Sequence, residues 1–558
     1  MVSAKPWLRH YPKEVAPTYD YPKHNLAQFL IDAATRFPQH SAVYFMGKKI
    51  NYKRLLQDSY RFANGLKGLG VKKGDRVAIM LPNCPAAIIA YFGALMAGAI
   101  VVQTNPLYME RELEYQLSDS GALVIVTLDL LFSRVNNVLT RTNIRHMIVT
   151  SIKDDLPAPQ NWLYPLKLKK EGVKLSIPYG LSVTAFKRFL SGASDAPVCE
   201  NVDACEEPAL LQYTGGTTGL SKGVMLTHYN LIANTLQNRY WCYKSEDGKE
   251  RYLAALPCFH VFGLTVLLNQ AILTAGMLIL IPRFEVDVIL KAINKLKPTI
   301  FPGAPTMYMA LINHPSIKKY DLSSIHVCVS GSAPLPLEVQ ERFEELTGGR
   351  LIEGYGLTEA SPVTHANPIW GLRKIGSIGI PFPDTEVKVV DSDSGEEMPI
   401  EEIGELVVRG PQVMKGYWNR DEETRKTIRD GWLFTGDMAR MDEDGYFAIV
   451  DRKKDLIIAS GFNIYPREIE EVLYEHPAIK EAAVAGVYDQ YRGETVKAFV
   501  VLREGYKLTD LELEAYCREK LAAYKVPHNY EFRDSLPKTM VGKVLRRKLI
   551  EEEPGQDN

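Results

Sequence analysis

The chain has 558 residues, too many for one hydrophobic core, and the usual domain size of about 100–200 residues divides it into roughly three or four units. With 46% hydrophobic and 24% charged residues and a net charge of -1, it has the composition of an ordinary globular protein. It lacks the basic excess that broad contact with phosphate backbones requires, which excludes nucleic acid as a main partner. Seven dispersed cysteines, Cys84, Cys199, Cys205, Cys242, Cys258, Cys328 and Cys517, include no CxxC pair. Such a set fits a reducing cytoplasm and excludes the common zinc spacings. The N-terminal ten residues carry charges and a proline where a signal peptide has its apolar core, so secretion is not expected.

Residues 41–110 alternate strand and helix: Ala42 to Phe45, Tyr52 to Leu69, then Arg76 to Met80. The apolar run Ala86 to Val102 follows, shorter than the roughly 20 residues of a membrane span. Pro85 at its start and Gly98 near the end of its helical part predict a buried helix, a turn and a buried strand. Further strands are predicted at Ala122 to Val126 and Met147 to Val149. Such alternation gives a parallel sheet flanked by helices. From about 152 to 200 the periodicity fades into a Pro-, Lys- and Ser-rich surface excursion with no readable chemistry.

The stretch Tyr213 to His228 (YTGGTTGLSKGVMLTH) is the chemically richest. Glycines remove Cβ where backbone must turn or approach a ligand, hydroxyls add donors and Lys222 adds a cation, which suits a polyphosphate. It is not the common GxxxxGK[ST] loop, because Lys222 follows Ser221 and precedes Gly223. Strand-like flanks, Leu210 to Tyr213 and Val224 to Leu226, make it a glycine-rich hairpin. Beyond a strand at Tyr252 to Pro257, the apolar sequence from Cys258 to Pro282, with Phe301 to Pro305, is the candidate lining for an apolar ligand. His260 within it reads more readily as a core residue than as a catalyst.

A strand His326 to Ser330 runs into Gly331-Ser332-Ala333-Pro334, a strand-end loop of the kind where α/β sheets bind ligands. Leu351 to Glu359 then sets Tyr355, Thr358 and Glu359 close together, offering an aromatic face, a hydroxyl and a carboxylate for Mg²⁺, though a turn carrying an ordinary tyrosine explains these residues about as well. Runs at 386–390 and 405–409 predict a smaller antiparallel unit, ending at Asp437, a residue suited either to ribose hydroxyls or to its own turn. Five charged residues, Asp451 to Asp455, separate two apolar strands and read as a bend or a domain hinge. After them come a helix opened by Pro466, strands at 481–487 and 494–502, a capping box at Thr509 to Glu512, and a basic segment around Lys543.

Together these motifs resemble the adenylate-forming superfamily, most closely its bacterial-type long-chain fatty acid–CoA ligases, over nearly the whole chain from Gly74-Asp75-Arg76-Val77 to Gly542-Lys543. The resemblance implies an α/β fold: a large N-terminal domain, residues 1–450, of two α/β subdomains and a small β-barrel-like subdomain. A small mobile α+β domain, 451–558, would follow a hinge at Asp451. By the matching motifs, Thr214, Gly215, Gly216, Thr217, Thr218, Gly219 and Lys222 would hold phosphates, and Gly331, Ser332, Ala333 and Tyr355 the adenine. Asp437 and Arg452 would hold the ribose, Thr358 the α-phosphate and Glu359 the Mg²⁺; Gly461 would line the channel for coenzyme A and Lys543 would act in adenylation.

The implied reaction consumes ATP with Mg²⁺. A carboxylate attacks the α-phosphorus, pyrophosphate leaves, and the thiol of coenzyme A displaces AMP from the acyl-adenylate. Catalysis then consists of positioning and charge neutralisation, without a nucleophilic side chain. Aryl- or coumarate-type ligases share every one of these motifs, and a fatty-acid uptake or trapping factor at a membrane surface is a further alternative. A carrier-loading domain is disfavoured because the sequence ends soon after Lys543. The expected setting is cytoplasmic; attachment to the inner face of a membrane and a homodimer stay open.

Overall fold

The computed structural model describes residues 5–173, 175–214, 221–459, 462–489, 493–539 and 543–552. Its largest sheet has eight strands, in the order Gly416–Tyr417, Lys222–Thr227, Pro208–Thr214, Ile100–Gln103, Arg76–Met80, Val124–Leu128, His146–Thr150 and Val183–Ala185. From Pro208–Thr214 to Val183–Ala185 all neighbours run parallel. The helix Pro85–Met96 has proline in its first turn and is buried around almost its whole circumference. Strand Ile100–Gln103 follows it, also buried, so the apolar run is core rather than a span; no helix among the described residues is long and apolar enough to cross a membrane.

A second α/β layer is built from Arg251–Ala254, Met277–Leu280, Ser41–Phe45 and Lys48–Asn51. Parallel bridges from Tyr252 through Ile300 to Val327 join it to the strands Val327–Ser330, Arg350–Gly356, Val363–Ala366 and Ile380–Pro381. The antiparallel unit predicted near 386–409 is present as Glu386–Val390, Gly404–Arg409, Trp432–Met441, Ile428–Arg429 and Phe447–Arg452. The last sheet holds Ile457–Ala459, Phe462–Ile464, Ile479–Asp489, Gly493–Leu502 and Asn529–Phe532 around its own core of Ile464, Ile469, Val484, Val500 and Leu513. Thr509 caps the helix Asp510–Lys520 as its sequence predicts: the Thr509 hydroxyl accepts from Glu512 N, and Glu512 accepts from Thr509 N at 2.8 Å.

The excursion at 152–200 is more ordered than its composition predicts. It contains the helix Gln160–Lys170, the edge strand Val183–Ala185 and the helix Phe186–Ser191. The first helix buries none of its residues and carries Pro165 inside it, so neither an inward apolar stripe nor a cap marked it.

Candidate functional site

Open sheets of this kind bind ligands at the C-terminal ends of their parallel strands, and here those of the two layers are linked by Gln212 Nε2, which donates to the Phe259 carbonyl at 3.2 Å. On the first sheet, Pro208–Thr214 and Lys222–Thr227 pair antiparallel, with Thr214 opposite Lys222. The predicted hairpin is therefore present. Its tip, with Gly215, Gly216, Thr217, Thr218 and Gly219, lies outside the described residues. The flanks are tied down: Ser221 Oγ donates to the Thr214 carbonyl, Tyr115 OH to the Ser221 carbonyl at 2.8 Å, and Tyr213 OH to Asp119 at 2.6 Å.

Strand Gly416–Tyr417 pairs with the far side of the hairpin, Tyr417 opposite Val224. This brings the Lys222 ammonium 5.0 Å from the centre of the buried Tyr417 ring, while Tyr417 OH donates to Glu359 Oε1 at 2.9 Å. Burial, then the Glu359 carboxylate, raises the phenol pKa, so Tyr417 stays a donor. One tyrosine thus sets both the loop lysine and the candidate Mg²⁺ carboxylate. Nothing in the sequence marked it, because the link depends on pairing between segments far apart in the chain. Among the described residues no group of three or more metal-ligating side chains occurs. A lone carboxylate is the protein share usual for Mg²⁺ held mainly by phosphates and water, so Glu359 fits that ion.

On the second layer, Val327–Ser330 and Arg350–Gly356 run parallel, with Ser330 beside Glu353. Gly331, Ser332 and Ala333 therefore leave the sheet next to Gly354 and Tyr355. A Cβ on Gly331 would lie 3.0 Å from the Phe262 ring, which links the apolar 258–282 stretch to this loop. Ser332 is held at φ +72°, an uncommon backbone for a non-glycine residue. Gly356 passes so close to the next strand that a Cβ would sit 2.0 Å from the Pro362 carbonyl oxygen; only glycine lets Thr358 and Glu359 turn back here. Within the apolar stretch, enclosure of the His260 imidazole pushes its pKa down to about 4, and its Nδ1 accepts from Phe262 N at 3.3 Å. The residue is half-buried rather than part of the core, a neutral ring that caps the short helix Val261–Gly263.

Asp437 and Arg452 face each other across paired strands. The buried Asp437 carboxylate receives Tyr355 OH at 2.5 Å on one oxygen and Arg452 Nε at 3.3 Å on the other. Lys543, far along the chain, comes to the same place: Asp437, Arg452, Lys454 and Asp455 are its electrostatic neighbours. Its loop is pinned by Thr539, whose hydroxyl accepts Lys543 N at 3.1 Å. Burial, then repulsion from Arg452, pushes the Lys543 ammonium down to about 7, and the same two causes push Lys454 down to about 8. Three cations crowded at one place favour a polyanionic ligand, because such a ligand relieves their mutual repulsion.

The buried Asp451 ties this region together. Its carboxylate accepts Arg452 N and Arg467 N, each at 2.7 Å, the second at the N-terminus of helix Pro466–Tyr474, where a carboxylate is favoured. Arg467 also donates to the Ile449 carbonyl at 2.8 Å. Arg546 pairs with Glu470 at 2.7 Å and Asp455 at 2.9 Å. Gly461 lies outside the described residues.

A family model for AMP-binding enzymes matches residues 30–418, and one for the AMP-binding enzyme C-terminal domain matches 468–543. The chain belongs to the AMP-binding enzyme family. It is 53% identical over 554 residues to a long-chain-fatty-acid–CoA ligase of Bacillus subtilis (strain 168), covering 99% of both chains. Among solved structures, ATP-bound MatB from Rhodopseudomonas palustris superposes with a TM-score of 0.83 at 31% identity, covering 94% of this chain and 98% of that one. The O-succinylbenzoate coenzyme A synthetase of Bacillus subtilis, in complex with ATP and magnesium ion, gives a TM-score of 0.77 at 28% identity, covering 95% and 100%. In this AMP-binding enzyme the motif residues fall into two groups: Lys222 and Glu359 meet at Tyr417, with Thr358 beside Glu359, and Tyr355, Arg452 and Lys543 gather around the Asp437 carboxylate. Tyr417 is the addition.

Proposed function

We infer that this AMP-binding enzyme joins a medium- to long-chain fatty acid to coenzyme A, converting ATP to AMP and pyrophosphate through an acyl-adenylate. The observation that carries the choice of acid is the 53% identity, over 99% of both chains, to the Bacillus subtilis ligase named for that activity. The site geometry supports the chemistry. Thr214 and Lys222 take the phosphates, a role that Gly215, Gly216, Thr217, Thr218 and Gly219 share by their sequence; Gly331, Ser332, Ala333 and Tyr355 take the adenine; Asp437 and Arg452 take the ribose. Mg²⁺, when bound, neutralises charge on the phosphates; Glu359 is its protein ligand and Tyr417 holds that carboxylate in place. Thr358 donates to the α-phosphate and Lys543 stabilises the charge that builds there as the carboxylate attacks.

The N-terminal domain is assigned to residues 1–450 and the C-terminal one to 451–558, hinged at Asp451. Two features support this: Asp451 pairs with Met438 of the preceding unit while its carboxylate accepts from Arg452 N and Arg467 N of the following one, and the family models stop at 418 and resume at 468. With Lys543 beside Asp437, the described arrangement suits adenylation; Gly461 would replace it when coenzyme A attacks. The working compartment we propose is the cytoplasm, which suits seven free cysteines.

A panel of acids tests the reading. With ATP, Mg²⁺ and coenzyme A, kcat/KM should climb from acetate to long saturated acids, because each buried methylene contributes about 0.8 kcal/mol until the pocket is full. A maximum on benzoate or ferulate would move the enzyme to the aryl ligases, and a maximum on acetate would refute the fatty-acid assignment.

The low Lys543 pKa has a consequence for ATP. Above about pH 7 the free enzyme carries this lysine largely neutral, and bound phosphates restore its charge, so binding takes up a proton. Affinity for ATP should fall as pH rises, by up to about tenfold per unit, and the effect should vanish below about pH 6, where Lys543 is already charged. Calorimetry at about pH 8.5 in two buffers of different ionisation enthalpy should give an uptake near one proton, lost in Lys543→Ala. Equal uptake in both proteins would assign the proton elsewhere.

A further inference from the structure

The segment 414–420 runs from Glu359 to the base of the glycine-rich hairpin and is tied at each step. Met414 N donates to the Glu359 carbonyl at 2.7 Å, Tyr417 OH to the Glu359 carboxylate, and Trp418 N to the Gly223 carbonyl at 2.7 Å. Its far end reaches the helix Glu110–Ser120, where Arg420 Nη2 donates to Asp119 Oδ1 at 3.1 Å. The other oxygen of that carboxylate takes Tyr213 OH at 2.6 Å, and the Asp119 carbonyl takes Trp418 Nε1 at 3.2 Å. Arg420 Nη2 also lies 3.5 Å from Tyr115 OH, which donates to the Ser221 carbonyl at 2.8 Å. One carboxylate therefore holds both feet of the hairpin: Tyr213 directly, next to Thr214, and Ser221 through Arg420 and Tyr115, next to Lys222.

Packing alone does not call for a carboxylate at this place. Asp119 stands in the last turn of its helix, where the dipole disfavours negative charge. Its side chain is only 12% exposed, and a charge so enclosed must be paired. Closing the helix needs no such group, because Gly121 already does so in the left-handed conformation, at φ +62°. What the carboxylate adds is geometry: two charge-assisted bonds on separate oxygens fix two partners at once. Burial, then the bond to Asp119, raises the Tyr213 phenol above its usual pKa, so the proton of that bond stays on the tyrosine. Gly223 completes the fit. A Cβ there would lie 3.1 Å from the Tyr213 ring and 3.3 Å from Trp418 Cβ, so two residues bound to Asp119 close on the strand that carries Lys222.

We propose that Asp119 is a positioning residue for ATP: through Tyr213, and through Arg420 and Tyr115, it sets Thr214 and Lys222 against the phosphates that leave as pyrophosphate. The proposal deepens the ligase reading and rests on its assignment of the hairpin to phosphates. Thr358 serves the α-phosphate in that reading, so the hairpin serves the β- and γ-phosphates, which AMP and the acyl-adenylate lack. The influence of Asp119 is accordingly confined to ATP and pyrophosphate. Left to be ordered by the nucleotide itself, Thr214 and Lys222 would bind it more weakly, and small misplacements of positioning groups lower rates severely.

The test uses calorimetric titration and half-reaction assays on four purified full-length variants: Asp119→Asn, Tyr115→Phe, Lys222→Ala and the double variant Asp119→Asn/Lys222→Ala. Asparagine keeps an acceptor for Tyr213 but turns an amide toward Arg420; phenylalanine removes only the hydroxyl that holds Ser221. Asp119→Asn should weaken ATP and pyrophosphate by about tenfold or more, and Tyr115→Phe by about threefold. AMP affinity and the conversion of supplied acyl-adenylate to acyl-CoA should stay as in wild type, which also shows that the variants fold. In the double variant the two losses for ATP should not multiply, since Asp119 acts through the part of the site that Lys222 occupies. Wild-type ATP affinity in Asp119→Asn, a loss for AMP equal to that for ATP in both Asp119→Asn and Tyr115→Phe, or multiplying losses in the double variant would overturn the proposal and leave the cluster a packing feature. If Asp119→Asn misfolds, Tyr115→Phe decides by the same comparison. Failure of the underlying reading looks different: Lys222→Ala would then leave ATP affinity unchanged, which removes the phosphate assignment and the proposal with it.

Discussion

Replacing Lys543 with alanine is expected to slow acyl-adenylate formation by about 10²–10³-fold, the usual loss when one preorganised charge-stabilising donor is removed, while supplied acyl-adenylate is still converted to acyl-CoA. The reason is positional. Lys543 is placed against Asp437 and Arg452, beside the proposed ribose and α-phosphate subsites, where a cation matters only while negative charge builds on phosphorus. In the thioester-forming step the leaving group is AMP, and the attacking thiol needs a narrow approach rather than that cation. A rotation of the C-terminal domain about Asp451 would withdraw Lys543 and bring Gly461 to the site, a hinge-type motion. Gly461→Leu should therefore show the reverse: adenylate forms and accumulates. Pyrophosphate exchange and single-step thioesterification on the two purified variants check this; equal losses in both steps for both variants would refute the alternation.

The second large effect is expected at Glu359. Glu359→Gln should lower adenylation on the order of a hundredfold at limiting Mg²⁺ and shift the Mg²⁺ titration upward, because a neutral amide replaces the one anionic protein ligand assigned to the ion. Tyr417→Phe provides the graded companion. It removes the 2.9 Å hydrogen bond to Glu359 but leaves the carboxylate, and loss of such a supporting bond usually costs about 10–100-fold in metal affinity. Its Mg²⁺ requirement should therefore rise about tenfold while kcat at saturating Mg²⁺ stays near wild type. A purely structural tyrosine would instead lower kcat with an unchanged Mg²⁺ titration, and an unchanged titration in Glu359→Gln would return Glu359 to a turn residue.

Local pattern carried much of the fold. The apolar run after Pro85, the flanks of the glycine-rich hairpin and the capping box at Thr509 each predict an element found where expected, because their signals lie within a few neighbouring residues. Tyr417 was illegible for the opposite reason: its meaning comes from pairing with Val224 and reaching Glu359, contacts that no local period records. Glu353 is similar. Buried beside Ser330, with its carboxyl pushed up to about 7 by burial and held from rising further by Arg467, it reads in sequence as an ordinary charged residue. The helix Gln160–Lys170 escaped because periodicity reveals inward faces, and this helix turns its large side chains outward.

In the reaction proposed for this enzyme the fatty acid carboxylate itself attacks the α-phosphorus of ATP. Its most direct test uses a long-chain acid labelled with ¹⁸O in the carboxyl group, incubated with enzyme, ATP, Mg²⁺ and coenzyme A, followed by mass spectrometry of the nucleotide. One ¹⁸O is expected in AMP for each acyl-CoA formed, with unlabelled pyrophosphate. Label in inorganic phosphate with ADP as the nucleotide product, or acyl-CoA formed alongside unlabelled AMP, would contradict it.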